Sequence, residues 1–154
     1  MRCVNDADPT LTRGRFLLNG LAAGLLGFSG VGQAADPTVT EKANLALVTA
    51  FCESFASRDM TKIASFLAAD CIYRITETSP PLTGPAAVDR IRTYVERADK
   101  IEFKILESWA RGLIVVNERV DTFISPGRTN ALHLTGVFFI RDGKIAEWAD
   151  YIIR

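Results

Sequence analysis

The sequence predicts an α+β domain: a curved antiparallel sheet with three helices in the N-terminal half, together forming a cone around one pocket. Two observations carry this. Apolar residues recur at helical spacing up to about residue 98, with one short β-rich run among them, and at alternate positions afterwards. The later part also divides into four strand-length runs at Gly112, at "SPGR" and at "RDGK", the last a hairpin turn signal. Helices followed by a meander of strands is the order of an α+β fold, and helices on the open side of a curved sheet enclose an interior.

In chain order, the first helix shows its buried face as Leu47, Val48, Phe51, Cys52 and Phe55, with Thr40 placed to cap it. After Arg58 the pattern restarts, and Asp59 is the expected N-cap of a second, shorter helix. "CIYRIT" is the β-rich run, and "ETSPPLTGP" is loop by its prolines and glycine. The third helix runs from about Pro85 to Ala98, with Pro85 in its first turn and Val88, Ile91, Tyr94 and Val95 on its apolar face. No internal repeat or second domain is visible.

Residues 1–34 read as a signal peptide and 35–154 as a single domain. Arg13 and Arg15 precede the apolar run "FLLNGLAAGLLGFSGVG", which is short for a membrane span, and Gly32 and Ala34 occupy the small-residue positions of a cleavage site. "TRGRFL" is similar to a twin-arginine export motif with Gly14 in place of one arginine. The competing reading is an uncleaved N-terminal anchor. The expected location is outside the cytoplasm, periplasmic or secreted from a bacterium, with no membrane partner once the leader is removed.

Basic and acidic residues, 18 of each, cancel over the whole chain, and cleavage leaves a net charge of about −1. No run of like charge is present, which argues against nucleic acid or an anionic membrane surface as partner. Residues of apolar type make up 48%, enough for a core. Cys3 leaves with the leader, while Cys52 and Cys71 remain in a compartment that permits disulfides. Two cysteines form no framework pattern, so a bridge and two buried thiols are both open. There is no cysteine–histidine cluster and hence no implied zinc site.

The chemistry lies in "NERVDTF". Side chains two apart on a strand share a face, so Arg119 and Asp121 lie with Val115, Asn117 and Phe123. Apolar neighbours mark this as the face lining the pocket. In the last run Trp148, Asp150 and Ile152 share a face; between these two strands, Leu132, Leu134 and Phe138 alternate with Gly136. Cys52 and Phe55 of the first helix reach the same cavity. Such charges are costly to bury unless paired, and a forked guanidinium can hold two carboxylates at once. Two carboxylates in different surroundings can then divide acid and base roles. Against this stands the commoner case of Arg-x-Asp as a surface ion pair of little worth, with Asp150 an edge-strand charge. His133 is out of phase with Leu132 and Leu134 and faces away. Trp109 is either core or part of a dimer surface.

The stretch "ERVDTF…GVFFIRDGKIAEWADYI" resembles the limonene-1,2-epoxide hydrolase family, within the larger nuclear-transport-factor-2-like, SnoaL-like cone fold. The resemblance extends from the first helix to the C-terminus. It rests on Arg-x-Asp at Arg119 and Asp121 and on Trp-x-Asp-Tyr at Trp148, Asp150 and Tyr151, with a tyrosine of the first strand at Tyr73. It implies one-step epoxide hydrolysis without metal, cofactor or covalent intermediate, in a homodimer. Asp150 would take a proton from water, Asp121 would protonate the epoxide oxygen, Arg119 would orient both, and Tyr73 would help to hold the water. The family asparagine two residues after that tyrosine is here Ile75; Thr76 and Asn117 are the candidate replacements. Two rivals remain: an isomerase or cyclase on the same fold, and a non-catalytic module binding an apolar ligand.

Overall fold

The computed structural model describes residues 36–153, so the leader expected over residues 1–34 lies outside the described residues. The chain runs through α1 (Val39–Ser54), a single 3₁₀ turn, α2 (Met60–Ala64), β1 (Leu67–Arg74), β2 (Leu82–Thr83), α3 (Pro85–Arg97), β3 (Lys100–Arg111), β4 (Ile114–Ser125), β5 (Arg128–Arg141) and β6 (Lys144–Ile152).

Local chemistry sets the helix starts. The Thr38 hydroxyl accepts from the Glu41 N–H at 3.2 Å, and the Glu41 carboxylate accepts from the Thr38 N–H at 2.7 Å. This reciprocal box needs an acid three residues on, which Thr38 has and Thr40 lacks, so the cap falls at Thr38 rather than Thr40. Asp59 caps α2 by accepting from the N–H groups of Thr61 and Lys62. Gly84 takes φ +54° just before Pro85, and a Cβ there would lie 3.0 Å from the Ala69 carbonyl oxygen, so glycine is required at this junction.

The six strands form one sheet in the order β2-β1-β6-β5-β4-β3. From β3 to β6 the meander is antiparallel, as expected, and Asp142 (φ +53°) and Gly143 (φ +68°) make the β5–β6 turn. The sheet as a whole is mixed, because β1 joins β6 in parallel. Turn signals report only neighbouring hairpins, and this pairing joins strands separated by α3 and the whole meander. A short strand, β2, also forms inside the segment expected to be loop. Register shifts in β3 between Ile105 and Glu107, and between β5 and β6 near Ile140, bend the sheet.

The concave face carries α1 against β3 and β4, and α3 against β1 and β2. Phe51 of α1 sits at the centre, edge-on to Phe55 and Trp148 at 5.2 Å each and to Phe138 at 6.2 Å. Cys52 and Cys71 are buried free thiols, which decides between the two readings of the pair. Burial pushes them up to about 11 and about 12, so neither is a thiolate near neutral pH. On the convex face Trp109 is 52% exposed and therefore not core. His133 also lies there, 2.6 Å from Glu118.

Candidate active site

The register explains how polar groups meet inside an apolar cone. Across β6, β5 and β4 one inward row is Asp150, Gly136 and Asn117; the next is Ile152, Leu134 and Arg119; the third holds Leu132 and Asp121. Arg119 must therefore reach diagonally over β5 to touch Asp150. Gly136 makes this possible: a Cβ there would stand 2.0 Å from Arg119 Nη1 and 3.0 Å from the Asn117 side-chain oxygen. Any side chain at Gly136 would occupy the guanidinium's place.

The guanidinium is fully buried and uses each of its nitrogens. Arg119 Nε donates to Asp121 Oδ1 at 2.9 Å, Nη1 to Asn117 Oδ1 at 2.8 Å, and Nη2 to Asp150 Oδ1 at 2.7 Å. Asp150 Oδ1 also accepts from the Trp148 indole N–H at 2.8 Å. The rings of Phe103, Phe138 and Trp148 lie 5.4–5.7 Å from the guanidinium carbon, within cation–π range. Among the described residues no buried side-chain polar atom lacks a partner.

These surroundings separate the two carboxyl groups. Burial raises Asp121 to about 7, against the pull of Arg119 and with help from the charge of Asp150. Burial raises Asp150 as well, but Arg119 and the Trp148 N–H both donate to it and favour its anion. Asp121 has one such donor. A singly ionised pair balances the one guanidinium, whereas a second negative charge would leave the buried cluster unneutralised. With one donor to its anion where Asp150 has two, Asp121 is the carboxyl better suited to keep a proton. Burial weakens the Arg119 cation, yet Asp150 and Asp121 outweigh it and hold its pKa above the ordinary value.

A cavity of about 520 Å³ opens onto this cluster, a size suited to a small organic ligand. Asp121, Asp150, Tyr73 and Trp148 line it, as do Ile75, Phe123, Leu132, Leu134 and Ile152. Four residues expected at the cavity are elsewhere. Arg119 and Asn117 are buried behind the two carboxylates, and Cys52 and Phe55 belong to the core. Strand parity gives the face of a residue but not its depth. Asn117 is committed twice, accepting from Arg119 and donating to Cys52 Sγ at 3.5 Å, so it is a support of the arginine rather than a replacement for the family asparagine. Thr76 reaches the lining, but its hydroxyl pairs with Ser79 at 2.7 Å.

Sequence periodicity places Tyr94 only on the apolar face of α3. Its hydroxyl lies 3.4 Å from that of Tyr73, and both phenols line the cavity with Asp150. Burial raises both phenol pKa values, so both remain O–H donors. A tyrosine where phenylalanine would pack equally well was the available signal. Tyr73 stacks on Trp148 at 4.2 Å, fixing the pair against the base of the cavity.

Helices on a curved sheet enclosing one cavity make the α+β cone of the nuclear-transport-factor-2-like class. The family model for the limonene-1,2-epoxide hydrolase catalytic domain matches residues 42–153, and the chain belongs to that family. A solved LEH-like epoxide hydrolase from M. tuberculosis is similar at 26% identity and a TM-score of 0.63, over 73% of this chain and 84% of that one. The fold is shared with a putative SnoaL-like polyketide cyclase from Jannaschia sp. CCS1, at 14% identity, TM-score 0.67 and coverage of 77% and 91%. It is shared too with a putative ketosteroid isomerase from Kribbella flavida, at 20% identity, TM-score 0.61 and coverage of 74% and 80%.

Proposed function

We propose that this protein hydrolyses an epoxide to a vicinal diol in one step. The observation that carries the reading is Arg119 binding both Asp121 and Asp150 from behind while both carboxyl groups face the cavity. Oδ1 of Asp150 is occupied by Arg119 and Trp148, which leaves Oδ2 as the base. A water seated between Asp150, Tyr73 and Tyr94 attacks an epoxide carbon and gives a proton to Asp150. The carbon–oxygen bond breaks as Asp121 gives its proton to the ring oxygen. Proton return from Asp150 to Asp121 through solvent restores the starting state, and the net change is addition of one water. A site that only enolises a ketone has no need of the guanidinium bridge, which favours this reading over the isomerase and cyclase chemistry of fold relatives.

The test is diol formation from a panel of terpene and aryl epoxides, followed against pH. Because the acid must be protonated, kcat should fall as pH rises through about 7. An isomerase would instead exchange protons into a ketone and form no diol, and a binding module would retain the epoxide unchanged.

Tyr94 stands in for the asparagine that Ile75 replaces. Tyr94→Phe keeps the ring and removes only the hydroxyl, so kcat should fall by about tenfold, the worth of one hydrogen bond to the water. Thermal stability should fall by no more than loss of the long hydrogen bond to Tyr73 explains, and the pH at which activity declines should be unchanged, which separates water positioning from a general loss of packing. An unaltered kcat would remove Tyr94 from the mechanism.

A further inference from the structure

The cavity has a cationic mouth. Arg90, Arg97 and Arg128 are exposed residues that line it, and the only carboxylates among its described lining residues are Asp121 and Asp150 at the base. None of the three arginines has an ion-pair partner among the described residues. Other surface arginines do: Arg92 of the same helix lies near Asp89, Arg74 near Glu147, and Arg141 pairs with Asp70.

The fold brings these three together. Arg90, Tyr94 and Arg97 follow at helical spacing on α3 and so share the face turned to the cavity. Ser125 pairs across the sheet with Arg128, and its hydroxyl donates to the Arg97 carbonyl at 2.8 Å, which joins the end of α3 to the start of β5. Along the inward face of β5 the order is then Arg128, Asn130, Leu132 and Leu134: cation, polar group, apolar wall. Leu132 is the register partner of Asp121, so the catalytic level lies about 13 Å along the strand from Arg128, at about 3.3 Å per residue.

Like charges gathered at one rim repel, and an oxyanion would relieve them through charge-assisted, forked hydrogen bonds. We infer that the substrate is amphipathic: an apolar chain with an oxyanion, such as a carboxylate, that docks at Arg90, Arg97 and Arg128 while its epoxide reaches Asp121 and Asp150. The epoxide half of this inference rests on the proposed hydrolase activity; the anion half does not.

Binding of undecanoate and undecanol to the full chain, measured by calorimetry, tests the anion site without turnover. Undecanoate should bind about tenfold tighter, the worth of one charge-assisted hydrogen bond. That advantage should shrink with salt, vanish in the Arg90→Gln, Arg97→Gln, Arg128→Gln triple variant and survive in the matching Arg→Lys triple. Equal binding of the two, binding of neither, or an advantage that persists in the glutamine variant would overturn the inference. Turnover of epoxyundecanoate against its methyl ester then separates the claims. Undecanoate bound at the rim with neither epoxide opened would refute the hydrolase reading and leave the anion site standing. Diol from both with the same KM would refute the anion site and leave the hydrolase reading standing.

Discussion

Asp150→Asn should lower diol formation by about a thousandfold, within the range for loss of a general base. The substitution is nearly isosteric. Its remaining carbonyl oxygen can still accept from Arg119 Nη2 and the Trp148 N–H, as Asp150 Oδ1 does now, so the fold should hold. What is lost is the second oxygen that takes the proton from water. A further consequence concerns the acid. Burial is the main cause of the raised pKa of Asp121, but the charge of Asp150 adds to it. Without that charge Arg119 has only Asp121 to pair with, so Asp121 should ionise below its present value of about 7. Any residual activity should therefore decline at lower pH than in the parent. Retained turnover with an unshifted pH profile would mean that Asp150 is not the base.

Arg119→Met should cost about 3–5 kcal/mol of stability, the range for removing one partner of a buried ion pair. Methionine can fill part of the space among Phe103, Phe138 and Trp148, but it donates nothing to Asp121, Asn117 or Asp150. The pH dependence identifies the cause. A carboxyl whose folded pKa is raised binds more protons when folded, so its stabilising effect is complete below the unfolded value and lost as pH rises through the folded one. For Asp121 that window runs from 3.8 to about 7 in the parent. Without the arginine the folded values of both carboxyl groups move further up. The deficit of the variant should accordingly be larger at about pH 8 than at about pH 5 in denaturant titrations. A deficit independent of pH would indicate lost packing alone.

Much of the site was legible because strand parity is local. Val115, Asn117, Arg119, Asp121 and Phe123 do share the inward face of β4, and Trp148, Asp150 and Ile152 that of β6. Depth was not legible, since it depends on how far each row lies under α1. Asn117, Cys52 and Phe55 thus belong behind the cavity, although they lie on inward faces. Gly136 alternates with Leu134 and Phe138, but its function as the space for a guanidinium emerges only when β4, β5 and β6 are in register. The parallel β1–β6 pair was hidden for the same reason, as was the meeting of Tyr73 with Tyr94. The three rim arginines lie on α3 and at the start of β5, and nothing local in the sequence relates them.

The most direct measurement is a single turnover in heavy-oxygen water with enzyme in excess over an epoxide that it opens. The proposed mechanism has water attack the ring, so the first-turnover diol should carry one labelled oxygen and the protein none. Unlabelled first-turnover diol, with the label instead in Asp121 or Asp150, would make a carboxylate the nucleophile and contradict the acid–base assignment built on Arg119.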